Sequence, residues 1–425
     1  MSLFSLGNLR SILSSSIGNI IAWYEYTLYA CFATVIGDLF FPGANRYLAT
    51  MLTFAIFAIG LLARPIGGVF FGYLSDRYSR KKILTFTTFL MSTATFCIGL
   101  LPTYKQIGML APVCLAILRI TQEFALGGCF GLSCVYLYES VETDKRGFLG
   151  CLAVTGVGLG FVFSSCTVLV LEMFVAKTTI YAFAWRIPFF ISLLGVLVGL
   201  YMHRTLAETK DFVLAGQCAL KTHPFVEMIK NHKLTLFRLF SAYVTTQISF
   251  FVVFIFGKAM MINFLGYNNG RASKFNLLAI STYTVATVLF GYLTDTVNKR
   301  YLIICGVVGT FLSAYPFITS LKAGNTLLII LFSVLIAIFM ALTVALGPLT
   351  SESFPINIRT TGVAFSCNFT AVIFGGSSPV IAMWLIDRYN DVCPVAYYLM
   401  ASCFITIVVT SSYFINFRDS SNCNH

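Results

Sequence analysis

Composition, continuous apolar runs and an internal repeat together predict an all-α membrane protein of twelve transmembrane helices in two pseudo-symmetric six-helix bundles. Of the 425 residues, 58 % are hydrophobic and 10 % charged, with a mean hydropathy of +0.86, more apolar surface than one soluble core of this length could bury. The apolar runs are continuous and approach the ~20 residues that a helix needs to cross ~30 Å of hydrocarbon. They do not alternate with period two, which excludes an outer-membrane barrel. The string Gly72-Tyr-Leu-Ser-Asp76 returns as Gly291-Tyr-Leu-Thr-Asp295, and Glu139 with Arg146 returns at the same spacing as Glu352 with Arg359. A duplicated helical bundle is an architecture of secondary transporters.

In chain order, residues 11–41 form the first helix, too long and too poor in a small-residue cleavage site for a removable signal. Gly18, Ala22, Glu25 and Tyr29 share one face of it, small residues leading to an acid, as on a helix that borders a polar cavity. Helices 2 and 3 occupy residues 48–75 and 83–101, joined by a charged loop, and residues 102–105 form an outside loop. Helix 4 carries Arg119, Gln122 and Glu123. Helix 5 spans residues 147–175, where Gly156-x-Gly158-x-Gly160 reads as close helix packing, since a nucleotide loop would need a preceding strand. Trp185-Arg186 opens helix 6. Residues 204–235 are polar and form a cytoplasmic linker between bundles 1–203 and 236–425, and helices 7 to 12 follow at 236–265, 274–293, 301–321, 327–349, 360–386 and 396–417.

The net charge of +12 is no nucleic-acid footprint, because no basic cluster sits on a soluble domain able to present it. With the amino terminus inside, most of the 28 Lys and Arg lie in cytoplasmic loops, in keeping with the positive-inside rule. The 13 cysteines fall mostly in apolar segments without a C-x-x-C pair, so neither a disulfide frame nor a metal site is expected. Four histidines without metal spacing, and no nucleophile–base motif, leave no catalytic residue and no cofactor to assign. The expected partners are a small-molecule substrate, protons and the lipid bilayer.

Gly72-Tyr-Leu-Ser-Asp76-Arg77-Tyr-Ser79-Arg80-Lys81-Lys82 resembles the signature loop G-x-x-x-D-R-x-G-R-R/K of the major facilitator superfamily. Ser79 replaces its second glycine, a change expected to weaken the turn. Gly18-Asn19-Ile-Ile-Ala22-Trp23-Tyr24-Glu25-Tyr26 resembles G-N-x-x-E-W-Y/F-D-F of the metabolite:proton symporter family, with Glu25 keeping the second acid. Arg119-Ile-Thr-Gln122-Glu123-Phe-Ala-Leu-Gly127-Gly128-Cys129 resembles R/K-x-x-Q-G-x-x-x-G-G-E, with Glu123 for glycine and Cys129 for the acid. Trp185-Arg186-Ile-Pro188-Phe is similar to W-R-I-P-F, Glu208-Thr209-Lys210-Asp211-Phe212 to E-T-P-x-F, and the stretch from Phe96 to Pro112 to the proline/betaine branch. No heptad tail of the kind that osmosensing members often carry is expected.

The resemblance implies a proton-coupled symporter of a carboxylate-bearing metabolite or osmolyte, working by alternating access. A proton-independent uniporter or exchanger is the alternative, and a transport-inactive sensor a third reading. Glu25, Arg64, Arg119, Glu123 and Lys258 lie within helices, each opposing insertion by about 2.5–3.5 kcal/mol at mid-membrane unless paired. Arg119, Glu25, Gln122 and Tyr29 are the candidate substrate ligands, and Glu25 with Glu123 the candidate proton carriers. Glu25 and Arg119 are expected to face each other across the cavity. The bland alternative is that Arg119 and Glu123 neutralise each other, with Arg64 held by backbone carbonyls. Gly72, Asp76, Arg77, Arg80, Lys81, Glu139, Arg146, Gly291, Asp295, Arg300, Glu352 and Arg359 form the candidate cytoplasmic gate. There the two aspartates would meet the amino ends of helices 11 and 5, and Arg80–Glu139 and Arg300–Glu352 would pair.

Overall fold

In the computed structural model, residues 6–43, 46–141, 145–215 and 223–414 are described. The linker stretch 216–222 with Lys221, and the terminal residues 415–425, lie outside them. Among the described residues the secondary structure is helical, with no strand.

Twelve helical segments follow in order; among the described residues ten are long and apolar enough to cross a membrane, eleven with the bent first pair counted as one, and the last is a shorter apolar helix. The first, α1 (Leu6–Cys31), bends by 58° into Ala33–Phe40, so the single helix expected over 11–41 is broken at Phe32. Next come α2 (Arg46–Arg77), α3 (Arg80–Leu100), α4 (Leu110–Glu139), α5 (Arg146–Phe174) and α6 (Lys177–Thr205). After the linker helices Lys210–Ala215 and Pro224–Asn231 come α7 (Lys233–Asn263), α8 (Asn269–Thr296), α9 (Lys299–Ala323), α10 (Thr326–Glu352), α11 (Ile356–Tyr389) and α12 (Cys393–Phe414). Short connections end on residues that suit them: Asn268, Asn298 and Asn325 cap α8, α9 and α10 with side-chain oxygens, as N-caps do, and Gly324 at φ 71° closes α9.

Two expectations shift. α6 begins at Lys177, ahead of Trp185, through a π-helical turn at Ile180–Ala184. α3 begins at Arg80, so the basic residues lie in its first turn, because Ser79 caps it: its Oγ accepts from Lys82 N at 3.1 Å. Ser79 has φ −174°, extended backbone open to any residue, so no glycine is required and the expected weakening of the turn does not occur.

The chain divides into two compact units. Unit 1 comprises Met1–Arg146, Leu152–Met228 and Phe354–Asn368; unit 2 comprises Gly147–Cys151, Ile229–Ser353 and Phe369–His425. Each unit therefore includes a short amino-terminal piece of a helix whose body belongs to the other. Within unit 1, α2 and α4 come unusually close, because a side chain at Gly67 would strike the Phe124 carbonyl and one at Gly127 the Arg64 carbonyl. Gly156 and Gly160 of α5 likewise lie against Asn19 and Trp23 of α1. Large apolar side chains such as Leu62, Ile66 and Leu197 stay exposed on its outside, as they do on helices whose outer face meets lipid. In unit 2, α7 and α11 each contain a π-helical segment, Phe251–Phe256 and Ala371–Gly376, and Gly375 admits the ring of Phe251.

Candidate functional site

The close approach of α2 and α4 sets Arg64 beside Glu123. Arg64 donates to Glu123 Oε2 from Nε at 2.9 Å and from Nη2 at 2.6 Å. Arg119, one turn earlier on α4, holds Oε1 of the same carboxylate and donates to Gln122 Oε1. All three charged side chains are buried. Arg64 is thus bound by a carboxylate, where the sequence suggested backbone carbonyls. Aromatic rings complete the cluster: Arg119 lies 4.8 Å from the Tyr29 ring centroid and 4.5 Å from Phe57, and Arg64 lies 4.7 Å from Tyr26. Such cation–π contacts strengthen when desolvated. The Tyr29 hydroxyl donates to Thr53 O at 3.1 Å, which places Tyr29 at the cluster through its ring.

Glu25 is fully buried on α1 but apart from the guanidiniums. Its Oε2 accepts from Thr95 Oγ1 of α3 at 3.4 Å, while Oε1, Ser92 Oγ and Ser192 Oγ make no hydrogen bond of ordinary geometry among the described residues. Glu25 does not face Arg119 directly, and no ion pair joins them among the described residues. Gln122 stands between, donating through Nε2 to Thr95 Oγ1 at 2.6 Å and to the Glu25 carbonyl at 3.4 Å. Gly195 of α6 makes room for the acid, since a Cβ there would crowd Ser92 Oγ and come within 2.8 Å of Glu25 Oε1.

At the carboxyl end of α2, the Asp76 carboxylate is buried and accepts from Thr360 N at 3.0 Å and from Thr361 N and Oγ1, both at 2.8 Å. It caps the helix Arg359–Thr370, a favourable position for a negative charge. Gly72, one turn earlier, leaves space for Thr361. Arg80 pairs with Glu139 and donates to Ile356 O at 2.9 Å. Arg359 reaches the same Glu139 oxygen at 2.6 Å, and Thr209 donates to the other at 2.8 Å. Arg146 pairs with Asp211 at 2.8 Å. Arg77 instead lies exposed, donating to Tyr73 Oη at 2.6 Å, and Lys81 contributes its backbone N–H, bound to Glu208 Oε1 at 3.3 Å.

Unit 2 repeats the backbone part of this arrangement. Asp295 accepts from Gly147 N at 2.7 Å and Phe148 N at 3.0 Å, at the start of α5, and Gly291 faces Phe148 and Cys151. Glu352, however, is met by Lys299 at 2.6 Å, and among the described residues no ion pair joins it to Arg300, the expected partner. The neighbouring residue on the same turn makes the contact instead.

Comparison with known proteins decides what this helical array is. The family model "Sugar (and other) transporter" matches residues 12–219. The chain is 30 % identical over 406 residues to the glycine betaine/proline/ectoine/pipecolic acid transporter OusA of Dickeya dadantii, covering 93 % of this chain and 81 % of that protein. It is 30 % identical over 420 residues to the proline/betaine transporter of Salmonella typhimurium, covering 95 % and 83 %. The chain belongs to the major facilitator superfamily. The fold agrees: the major facilitator proton:xylose symporter XylE superimposes with a TM-score of 0.77 at 16 % identity, over 96 % of this chain and 95 % of that one. The protein is therefore a multi-pass membrane transporter of this superfamily, like the proline/betaine transporters, and not an enzyme.

Several residues of this transporter's two clusters escaped the sequence reading. Glu208 accepts from Ser79 Oγ at 2.5 Å and from the N–H groups of Arg80 and Lys81 at 3.1 and 3.3 Å, an anion held at the amino end of α3. Thr209 and Asp211 bind Glu139 and Arg146. All three belong to the Glu208–Phe212 motif, whose resemblance to E-T-P-x-F is a signal without a stated partner. Ser92, Ser192 and Gly195 around Glu25 carried no signal beyond small size.

Proposed function

We propose that the protein is a proton-coupled symporter of a small carboxylate-bearing metabolite or osmolyte of the proline/betaine kind, working by alternating access. The observation behind this reading is the unequal pairing of two buried acids. Glu123 is shared by Arg64 and Arg119, whereas Glu25 pairs with no cation among the described residues. Counting Arg64, Arg119, Glu123 and Glu25, the cluster is neutral in two ways: with Glu25 ionised and no anion bound, or with Glu25 protonated and one carboxylate added. A net buried charge is costly, so proton and carboxylate bind together. Arg119 offers a planar fork suited to a carboxylate, and Tyr29 and Phe57 wall that position.

The relatives' names supply the substrate class: proline and betaine are net-neutral zwitterions, so the count above applies to the carboxylate end alone, with the cationic nitrogen outside the arginine cluster, and the net charge moved is the proton's. One proton moving through 100 mV contributes about 2.3 kcal/mol, roughly 50-fold accumulation. Asp76 with Arg80, Glu139 and Arg359, and Asp295 with the start of α5, would form the cytoplasmic gate, releasing as the site opens inward. Residues 1–203 and 236–425 would be the two bundles, with the linker 204–235 and both termini cytoplasmic.

The test is uptake of labelled L-proline, glycine betaine and succinate, with and without a protonophore, in cells lacking their own carriers for them. Accumulation of a zwitterion that collapses with protonophore supports symport. Accumulation indifferent to protonophore, or succinate preferred over both zwitterions, would contradict it.

A further inference from the structure

We infer that Thr95 of α3 is the positioning residue through which the protonation state of Glu25 reaches the arginine cluster, a role that rests on the proposed symport. The Thr95 hydroxyl lies at a junction of three groups. It receives Gln122 Nε2–H at 2.6 Å, and it lies 3.4 Å from Glu25 Oε2 and 3.0 Å from Met91 O. Gln122 in turn accepts from Arg119 through Oε1. Thr95 Oγ1 carries one proton and two lone pairs, so it cannot donate to Glu25 and to Met91 O together.

Two complete patterns follow. With Glu25 ionised, Thr95 donates to Oε2 and accepts from Gln122. With Glu25 protonated, the Glu25 O–H donates to Thr95 Oγ1, Thr95 donates to Met91 O, and Gln122 still donates to Thr95. Every proton keeps an acceptor in both, and the exchange requires only rotation of one hydroxyl. What changes is the strength with which Thr95 accepts from Gln122, since a hydroxyl that accepts two bonds shares its oxygen, and hydrogen-bonded chains polarise one another. Gln122 carries that change to the guanidinium that would take the substrate carboxylate.

The surroundings isolate this path. α3 presents Ser92 and Thr95 to Glu25, α6 presents Ser192 and Gly195, and α4 presents Gln122 and the thiol of Cys129; Tyr24 is the titratable neighbour on α1 itself. No Lys or Arg from these helices forms an ion pair with Glu25 among the described residues.

The experiment compares the full-length wild type with Thr95→Val, Thr95→Ser and Glu25→Gln, measuring the half-saturating concentration of labelled L-proline across a range of external pH. Each slope is read within one variant, so differences in abundance cancel. One coupled proton gives a change of up to about tenfold per pH unit. The wild type should show such a slope, Thr95→Val should lose most of it, and Thr95→Ser, which restores the hydroxyl, should recover it. If Thr95→Val keeps the wild-type slope while Glu25→Gln is flat, the proton site stands and the role of Thr95 is refuted. If Glu25→Gln retains the slope, or the wild type has none, the proton site itself is misplaced and the inference falls with it.

Discussion

Glu25 and Glu123 are both fully buried carboxyls in one helical bundle, and the chain treats them in opposite ways. Glu123 is gripped on both oxygens by arginines from α2 and α4, while Glu25 lies among the hydroxyls of Ser92, Thr95 and Ser192 and pairs with no cation among the described residues. A carboxylate held by two guanidiniums is an anchor, and removing it strands two buried cations. A carboxyl without a cation can gain or lose a proton without dismantling its surroundings. On the proposed symport, the difference would leave Glu123 a stabilising role and Glu25 the coupling, where the sequence offers both as proton carriers.

The sharpest way to break that contrast is Glu123→Gln. It should cost about 3–5 kcal/mol, seen as a lower unfolding temperature and lower abundance of the detergent-solubilised transporter, while Glu25→Gln should unfold at or above the wild-type temperature. Equal losses would erase the distinction. Next in size is Gly195→Ala, whose methyl would press on Ser92 Oγ and Glu25 Oε1. Overpacking of this kind costs about 1–3 kcal/mol, and here it should also weaken protonophore-sensitive uptake. Normal coupling in a stable Gly195→Ala protein would show that the fit around Glu25 is not needed.

Arg119→Lys keeps the charge but loses the fork. The half-saturating substrate concentration should rise about tenfold, equivalent to about 1.4 kcal/mol, and an unchanged value would remove Arg119 from the binding role. The smallest effects concern the repeated loops. Asp76 is buried and tied to three donors, whereas Asp295 is exposed with two backbone donors. Asp76→Asn should therefore shift the inward/outward balance, read by crosslinking, by up to about 1 kcal/mol, and Asp295→Asn by less. A larger effect from Asp295 would reverse the order argued here.

The span pattern was legible because bilayer-crossing helices announce themselves by continuous apolar length, and the two aspartates because a duplicated motif repeats their spacing. Partners from different helices were less legible. Arg64 and Glu123 lie on separate spans, and what joins them is the approach permitted by Gly67 and Gly127, a feature that the sequence displays as small residues without saying what they face. The sequence places the start of α3 at residue 83, past the basic run, whereas the Ser79 hydroxyl caps a helix that begins at Arg80. The early start of α6 was hidden by a π-helical turn, which has no periodicity in the side chains to betray it. Lys299 and Arg300 are adjacent cations, and only side-chain geometry chooses between them.

The account stands most directly on one measurement: simultaneous proton and L-proline flux in proteoliposomes containing the Glu25→Gln transporter beside the wild type. Wild type should move protons with proline and concentrate it under an imposed proton gradient. Glu25→Gln should still exchange labelled for unlabelled proline, with no proton flux and no accumulation. If Glu25→Gln concentrates proline in response to the gradient and carries protons with it, the coupling site is elsewhere and the contrast between the two buried acids has been misread.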